Sequence, residues 1–287
     1  MNDIRGVGVV GAGQMGLGIA EVSARAGLEV LIYDAHPAAA RTAMNRVAQS
    51  LTRAASRGKL RSDEADRAIS LIQVVTDLDA FSSRDVVIEA VAEDAAAKLA
   101  VFSRLDAAVD NPDAVLATNT SSIPITKIAA SVKRPGQVIG LHFFNPVPVL
   151  PLVELVPSLL TSRQTTARAR AFAETTLNKT VITSQDRAGF VVNTLLVPYV
   201  LAAIRMLESG YASAQDIDHG MELGCAHPMG PLRLADLIGL DIVKAIAEAM
   251  YDEFKEPLHS PPPLLSRMVE AGLTGRKAGR GFHDYRT

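Results

Sequence analysis

His142 closes the apolar run Val138–His142, and imidazole is the side chain best suited to move a proton near neutral pH. A lone histidine on an apolar element is otherwise a hydrogen-bonded core residue, so a catalytic reading needs a partner for it. Glu154, in Leu152-Val153-Glu154-Leu155-Val156, is a single carboxylate inside an apolar run, where an unpaired charge would be costly. Pairing the two would satisfy both groups and favour the imidazolium. A Pro-rich connection separates them, and spacing alone does not establish contact. A second polar cluster, Asn119-Thr120-Ser121-Ser122, follows the apolar run Val115–Thr118. If that run is a strand of an open parallel sheet, these hydroxyls and amides, Asn119 and Ser121 among them, would face the ligand crevice. The alternative is an ordinary helix cap before Ile125–Ala130.

The third candidate is Gly11-Ala12-Gly13-Gln14-Met15-Gly16, a G-x-G-x-x-G string that follows a short apolar run and opens a helical pattern, with Asp34 at the end of the next apolar run. In that setting Gly11 allows the tight turn, Gly13 lets a pyrophosphate approach the positive end of a helix, and Gly16 permits close helix–sheet packing. Asp34 would accept hydrogen bonds from the adenine-ribose diol and repel a 2'-phosphate, which favours NAD over NADP. FAD is the main competitor for such a motif, and a glycine-rich turn that binds nothing is the plain alternative.

Those side chains need a scaffold, and the chain of 287 residues is long enough for one large or two ordinary domains. Val7–Val10, Val30–Tyr33, Val74–Thr76, Val86–Glu89, Val115–Thr118 and Val138–His142 read as buried strands. Helical stretches separate them: Met15–Ala26, Pro37–Arg57, and Ala95–Val109 behind Asp94 as N-cap. The alternation predicts an α/β, doubly wound, Rossmann-type, mostly parallel sheet domain. At Ser184–Gly189 the texture turns polar and rich in breakers, and beyond it no strand is expected until the last few residues. Phe190–Glu208, Ser213–Leu223, Leu234–Phe254 and Pro263–Glu270 read as helices, with Ser213 as an N-cap and Gly210 as a stop. The expected division is a sheet domain over 1–186 and an all-α C-terminal domain over 187–287, with the active site in the cleft between them. The apolar helical segments such as Asn193–Leu207 offer more greasy surface than four helices bury, so a homodimer through the second domain is expected.

Charge and composition exclude several classes. Lys and Arg number 29 against 31 Asp and Glu, a net charge of -2, which gives no global field to attract polyanions; nucleic acid is not an expected partner. Cys225 is the one cysteine, so an intrachain disulfide and Cys-rich zinc sites are ruled out and no metal is expected. Every apolar stretch is broken before the roughly 20 residues that span a bilayer; even Gly189–Ile204 carries Asn193 and Pro198. The start Met1-Asn2-Asp3-Ile4-Arg5 runs straight into the apolar stretch at Val7, which reads as lacking a targeting peptide and gives the expectation of a cytoplasmic protein. Arg46, Arg53 and Arg57, with Ser50, fall on one face of the second helix, a pattern most often explained as a solvated charged face. His36, His219, His259 and His283 sit in polar or terminal contexts and read as solvated, and His227 as part of a loop.

Taken together these strings resemble the 3-hydroxyacyl-CoA dehydrogenases, and most closely the stand-alone bacterial 3-hydroxybutyryl-CoA dehydrogenases. The likeness runs through the glycine motif, Asn119-Thr120-Ser121-Ser122, His142-Phe143-Phe144-Asn145-Pro146, Gly189-Phe190-Val191-Val192-Asn193, His227-Pro228-Met229-Gly230-Pro231 and Gly279-Arg280-Gly281-Phe282. The resemblance implies that His142 is the general base with Glu154 as its orienting partner, and that Ser121 and Asn193 are polar contacts at the reacting end of the substrate. It implies NAD contacts from Glu93, Lys98, Asn145 and Lys277, and a coenzyme A moiety near Ser50 and Arg57, whose guanidinium suits phosphates. An acyl-CoA substrate and a place in fatty acid or butanoate metabolism follow from the same likeness. Two departures stand out: Thr194 follows Asn193 where the family usually has Arg, and Pro151 stands where Lys is common. The stretch Pro151–Pro157 also resembles gulonate dehydrogenases, which keeps a non-CoA hydroxy acid as an alternative, as is a non-catalytic NAD-binding sensor. A 3-hydroxyisobutyrate-type dehydrogenase would carry a Lys on the first helix after the sheet, and Phe190–Arg205 has none.

Overall fold

The computed structural model describes residues 4–286; Met1 to Asp3, on which part of the reading of the chain start rests, lie outside them. Contacts divide the chain into two compact units, one ending at Arg187 and the other beginning at Ala188.

The first unit opens with β1 (Gly6–Val10), α1 (Gln14–Arg25), β2 (Glu29–Tyr33), α2 (Pro37–Ser56), α3 (Ser62–Ser70) and β3 (Ile72–Val75). It continues through β4 (Val86–Glu89), α4 (Ala95–Ala108), β5 (Val115–Thr118), α5 (Ile125–Ala129), β6 (Val138–Phe143), β7 (Leu152–Pro157), α6 (Arg163–Ala171) and β8 (Thr180–Thr183). The eight strands form one sheet in the order β3-β2-β1-β4-β5-β6-β7-β8. All neighbours run parallel except β6 and β7, which are antiparallel. β1, β4, β5 and β6 are buried along their full length, as strands covered on both faces must be, which explains why they read as unbroken apolar runs. The strand order reverses direction at the junction of β1 and β4, and in such sheets the ligand crevice opens beyond the carboxyl ends of the strands at that point.

Two strands were not among those expected from the sequence. β7 carries a charge in its centre and prolines at its flanks, and β8 is short and threonine-rich; neither shows the apolar run by which the others are read. α3 and α6 are likewise additions, α6 continuing into a π-helical turn over Phe172–Thr176. The third expected strand lies two residues earlier than Val74, at Ile72, where register with Val30 of β2 begins.

The second unit is helical: α7 (Val192–Glu208), α8 (Ala214–Gly224), α9 (Pro231–Ile238), α10 (Leu240–Phe254) and α11 (Pro263–Glu270). Ser213 caps α8, accepting from the Asp216 amide. The expected single helix over Leu234–Phe254 is two helices, because Gly239 takes φ +105° and turns the chain between them. Asp218 and Asp236, both buried, hold the C-terminal segment. His283 Nε2 lies 2.7 Å from Asp218, and Asp236 accepts from the amides of Phe282 and His283 and from the Tyr285 hydroxyl. Burial raises the Asp236 pKa against these donors, and burial together with Asp236 pushes Tyr285 up to about 12. His283 is therefore half-buried and paired, and His259 is buried; the reading of both as solvated is corrected by the return of the tail onto the bundle and by the short turn between α10 and α11. No helix among the described residues is long and apolar enough to cross a membrane.

α5 has no side-chain cap of its own, since its N-cap position is Pro124. The carboxylate of Asp186 supplies it from the far end of the unit, accepting from the Ile125 and Thr126 amides at 2.7 Å each. Ile125 is fully buried, so removal of this acceptor strands a donor away from water. Asp186→Ala is expected to lower stability by about 1–2 kcal/mol with little change in the urea m-value, and Asp186→Asn by less; a midpoint equal to that of the parent would show that α5 needs no cap.

Candidate active site

The His142–Glu154 question is settled by sheet register. β6 and β7 are antiparallel, and His142 lies directly opposite Glu154. Nδ1 is 2.6 Å from Glu154 Oε2, with the histidine 7% and the glutamate 0% exposed. The Pro-rich connection makes the pairing possible by folding tightly: the Val149 and Leu150 amides both donate to the Pro146 carbonyl, and Lys179 donates to the carbonyls of Val147 and Leu150. Burial, with the nearby Arg25, lowers the Lys179 pKa. An ionised carboxylate only accepts, so Glu154 selects the imidazole tautomer protonated at Nδ1, the form whose basic lone pair is on Nε2. Phe144 packs edge-on against the imidazole, centroids 4.6 Å apart. Asn119, at the end of β5, accepts from the Phe143 amide at 2.8 Å and so ties the two strand ends together beside the histidine.

The glycine motif lies where β1 passes into α1, next to the end of β4. Gly11 has φ +109°, and a Cβ there would stand 2.5 Å from the Ala90 carbonyl oxygen. A Cβ on Gly16 would stand 1.9 Å from the Gly11 carbonyl, so the helix can approach the strand only without one. Gly13, by contrast, is exposed with open space around its missing Cβ, next to the exposed Gln14 and the half-buried Met15 at the start of α1. That is the arrangement a bound pyrophosphate requires: crowding behind the loop and room in front of it. Asp34, at the end of β2, accepts from the Ala12 amide through Oδ2 and from the His36 amide through Oδ1, which fixes its carboxylate at the rim of the loop. Four lone-pair sites on a carboxylate leave capacity for a ribose diol. The residues present fit a dinucleotide.

Glu93 and Lys98 follow β4, Glu93 in the connection and Lys98 on α4. Glu93 Oε1 accepts from the Thr120 hydroxyl at 2.5 Å, from the Ser121 and Ser122 amides at 3.0 Å each and from the Ser122 hydroxyl at 2.8 Å. Burial opposes ionisation of Glu93, yet Lys98 and these donors outweigh it and hold the carboxyl below its usual range. Lys98 is buried in an ion pair with Glu89 at 2.7 Å, and its ammonium is 3.3 Å from Glu93. The polar string after β5 therefore does not cap α5, whose cap is Asp186; it folds onto Glu93, leaving Ser121 half-buried at the strand ends. Glu89 and the role of Thr118 escaped the sequence reading. The signal was available, since Glu89 ends the apolar run Val86-Val87-Ile88 as conspicuously as Glu154 interrupts its own.

Other candidates are placed without being brought together. Asn145, exposed, precedes Pro146 through a cis peptide. On α2, Arg46 donates to the Ala12 carbonyl at 3.0 Å, Ser50 hydrogen bonds with the buried Glu21, and Arg57 is exposed at the C-cap. Arg46, Arg53 and Arg57 are all exposed, and Arg46 reaches the glycine loop. In the second unit, Asn193 is buried near the start of α7. Lys277 pairs with Asp241 at 2.6 Å. The Tyr199 hydroxyl lies 3.1 Å from His227 Nδ1.

Known proteins carry the same organisation. The family model described as the 3-hydroxyacyl-CoA dehydrogenase NAD binding domain matches residues 6–187, and that of the 3-hydroxyacyl-CoA dehydrogenase C-terminal domain matches residues 189–285. A 3-hydroxybutyryl-CoA dehydrogenase of Mycobacterium tuberculosis is 58% identical over 98% of this chain and 99% of its own length. The crystal structure of FadB2 from M. tuberculosis, 58% identical, superposes with a TM-score of 0.97 over 98% of this chain and 99% of that one. The crystal structure of (S)-3-hydroxybutyryl-CoA dehydrogenase PaaH1 from Ralstonia eutropha, 44% identical, gives 0.92 over 99% of both chains. With both domain models matched in order along one scaffold, this chain belongs to the 3-hydroxyacyl-CoA dehydrogenase family and includes its NAD-binding domain.

Proposed function

We propose that this chain interconverts a short-chain (S)-3-hydroxyacyl-CoA, of which 3-hydroxybutyryl-CoA is the type, and the corresponding 3-oxoacyl-CoA. The buried His142–Glu154 pair at the carboxyl end of β6 carries the proposal, and the names of the relatives give the substrate class. His142 Nε2 takes the proton of the substrate 3-hydroxyl as the C3–H bond breaks and the carbon–oxygen bond becomes a carbonyl. NAD, which the glycine loop and Asp34 would hold, would supply the acceptor for the hydride that leaves C3. Glu154 stabilises the imidazolium as it forms, because a full charge in this water-poor position needs a counter-charge already in place. In the reverse direction the imidazolium returns the proton to the developing alkoxide.

The remaining roles follow from position or from the matching motifs. Gly11, Ala12, Gly13, Gln14, Met15 and Gly16 receive the pyrophosphate and Asp34 the adenine ribose. Glu93, held with Lys98, shapes the nicotinamide end together with Asn119, Ser121 and Asn145. Ser121 also hydrogen bonds the substrate oxygen. Ser50 and Arg57 on α2 are assigned to coenzyme A. Asn193 and Lys277, in the second unit, are assigned to substrate and cofactor on the strength of the matching motifs. The non-CoA alternative draws its support from the Pro151–Pro157 stretch alone.

Three measurements test this reading. With acetoacetyl-CoA and NADH, turnover is expected; cofactor binding without turnover of any acyl-CoA, or turnover with gulonate and NAD instead, would overturn it, and kcat/KM across acyl lengths should peak at four carbons. His142→Gln should leave NADH binding within about twofold of the parent and reduce kcat by roughly 10²-fold or more, and Glu154→Gln should lose activity while keeping its melting temperature within a few degrees. Near-normal turnover in both variants would place the chemistry elsewhere. The second unit exposes Leu195, Tyr211 and Leu223 at 72%, 81% and 84%, and we assign this apolar surface to a homodimer; light scattering at micromolar concentration should give twice the 30.5 kDa chain mass, and a monomer would contradict the assignment.

A further inference from the structure

Glu89 is fully buried at the last position of β4, beside β1 where the strand order reverses. Its oxygens are all occupied by donors of this chain. Oε1 accepts from the Val91 amide and from Lys98 Nζ, each at 2.7 Å, and Oε2 accepts from the Thr118 hydroxyl at 2.7 Å. The Lys98 ammonium has three protons and faces three acceptors: Glu89, Glu93 Oε2 at 3.3 Å and the Val91 carbonyl at 3.5 Å. Thr118 Oγ1 also accepts from the Thr120 amide at 3.2 Å, and the Thr120 hydroxyl donates to Glu93. The contacts close a ring through Glu89, Thr118, Thr120, Glu93 and Lys98.

The ring divides one ammonium between two carboxylates. Glu89 holds Lys98 with a carboxylate that has no exposure, while Glu93, with 34% of its side chain exposed, turns its other oxygen to Thr120, Ser121 and Ser122. Were Glu89 neutral, the ammonium would be left with a single counter-ion, and the stronger pull on Glu93 would draw its carboxylate off the serine amides. Pairs in a low-dielectric wall respond strongly to such a loss. We infer that Glu89 is a positioning residue: acting through Lys98 and Thr118, it fixes Glu93 and the Thr120–Ser122 segment at the nicotinamide end of the site. This rests on the proposed assignment of Glu93 and Ser121 to the cofactor.

A double-mutant cycle on the full chain separates the two levels, with NADH fluorescence titration as the readout. Glu93→Gln alone should weaken NADH binding; unchanged affinity would remove Glu93 from the cofactor site and the inference with it. Glu89→Gln, which keeps the side-chain volume, should raise the NADH Kd about tenfold, with a smaller change in kcat at saturating NADH. In the Glu93→Gln background the same substitution should add nothing further, because its effect passes through Glu93. Thr118→Val should act in the same direction by a smaller factor and is the variant to use if Glu89→Gln does not fold. An NADH Kd within twofold of the parent for both Glu89→Gln and Thr118→Val, or effects that add in full to that of Glu93→Gln, would overturn the inference while leaving the Glu93 assignment intact.

Discussion

A carboxylate without a partner is not tolerated inside a packed sheet, and Glu154 has no exposure at all. Its pairing with His142 is the constraint from which the rest of the first unit can be understood. The two groups meet because β7 returns antiparallel beside β6 in a sheet that is otherwise parallel. A one-residue slip in that register would turn one member to the opposite face and leave a buried charge unmatched. The tight loop between the strands, with its amides on the Pro146 carbonyl and Lys179 across two further carbonyls, sets the register. The same interaction that permits burial also selects the histidine tautomer suited to proton transfer.

The ends of the neighbouring strands show a second use of the same physics. Glu89, Glu93 and Lys98 place three charges within one small wall, and each is matched by donors or acceptors from β4, β5 and the segments that follow them. The Glu89–Lys98–Glu93 group thus lies at the carboxyl ends of β4 and β5 and the His142–Glu154 pair at the carboxyl end of β6, while the glycine loop at β1 offers backbone and space in place of charge. The net charge of -2 is compatible with anionic ligands on these terms, since helix ends and a few placed cations act locally whatever the total. In the second unit the same rule recurs for stability: Asp218 and Asp236 are buried, Asp218 accepting from the Leu232 and Arg233 amides at the start of α9 and pairing with His283, and Asp236 accepting from the Phe282 and His283 amides of the C-terminal segment.

The strands around the reversal point were legible because each is an unbroken apolar run, and the glycine motif because its spacing is a steric requirement. β7 and β8 were not, because a central glutamate and a threonine-rich edge carry no periodic signal. The break at Gly239 was missed for a similar reason: the flanking residues have continuous helical periodicity, and only the positive φ stops them. Glu89 could have been found by the argument applied to Glu154, but the cap that Asp186 gives α5 joins residues some sixty positions apart, and no local pattern announces it.

By itself, the sequence determined the chemistry available: a histidine able to carry a proton, a carboxylate that must find a partner, a glycine-rich turn between strand and helix and an acidic residue after the second strand. Those follow from side-chain type and from steric rules that act within a few residues. The tertiary structure alone decided which of these groups meet. Contact between His142 and Glu154, the division of Lys98 between two carboxylates and the return of the tail onto Asp218 depend on strand register and on chain segments far apart in sequence, where a single residue of offset exchanges one face for the other.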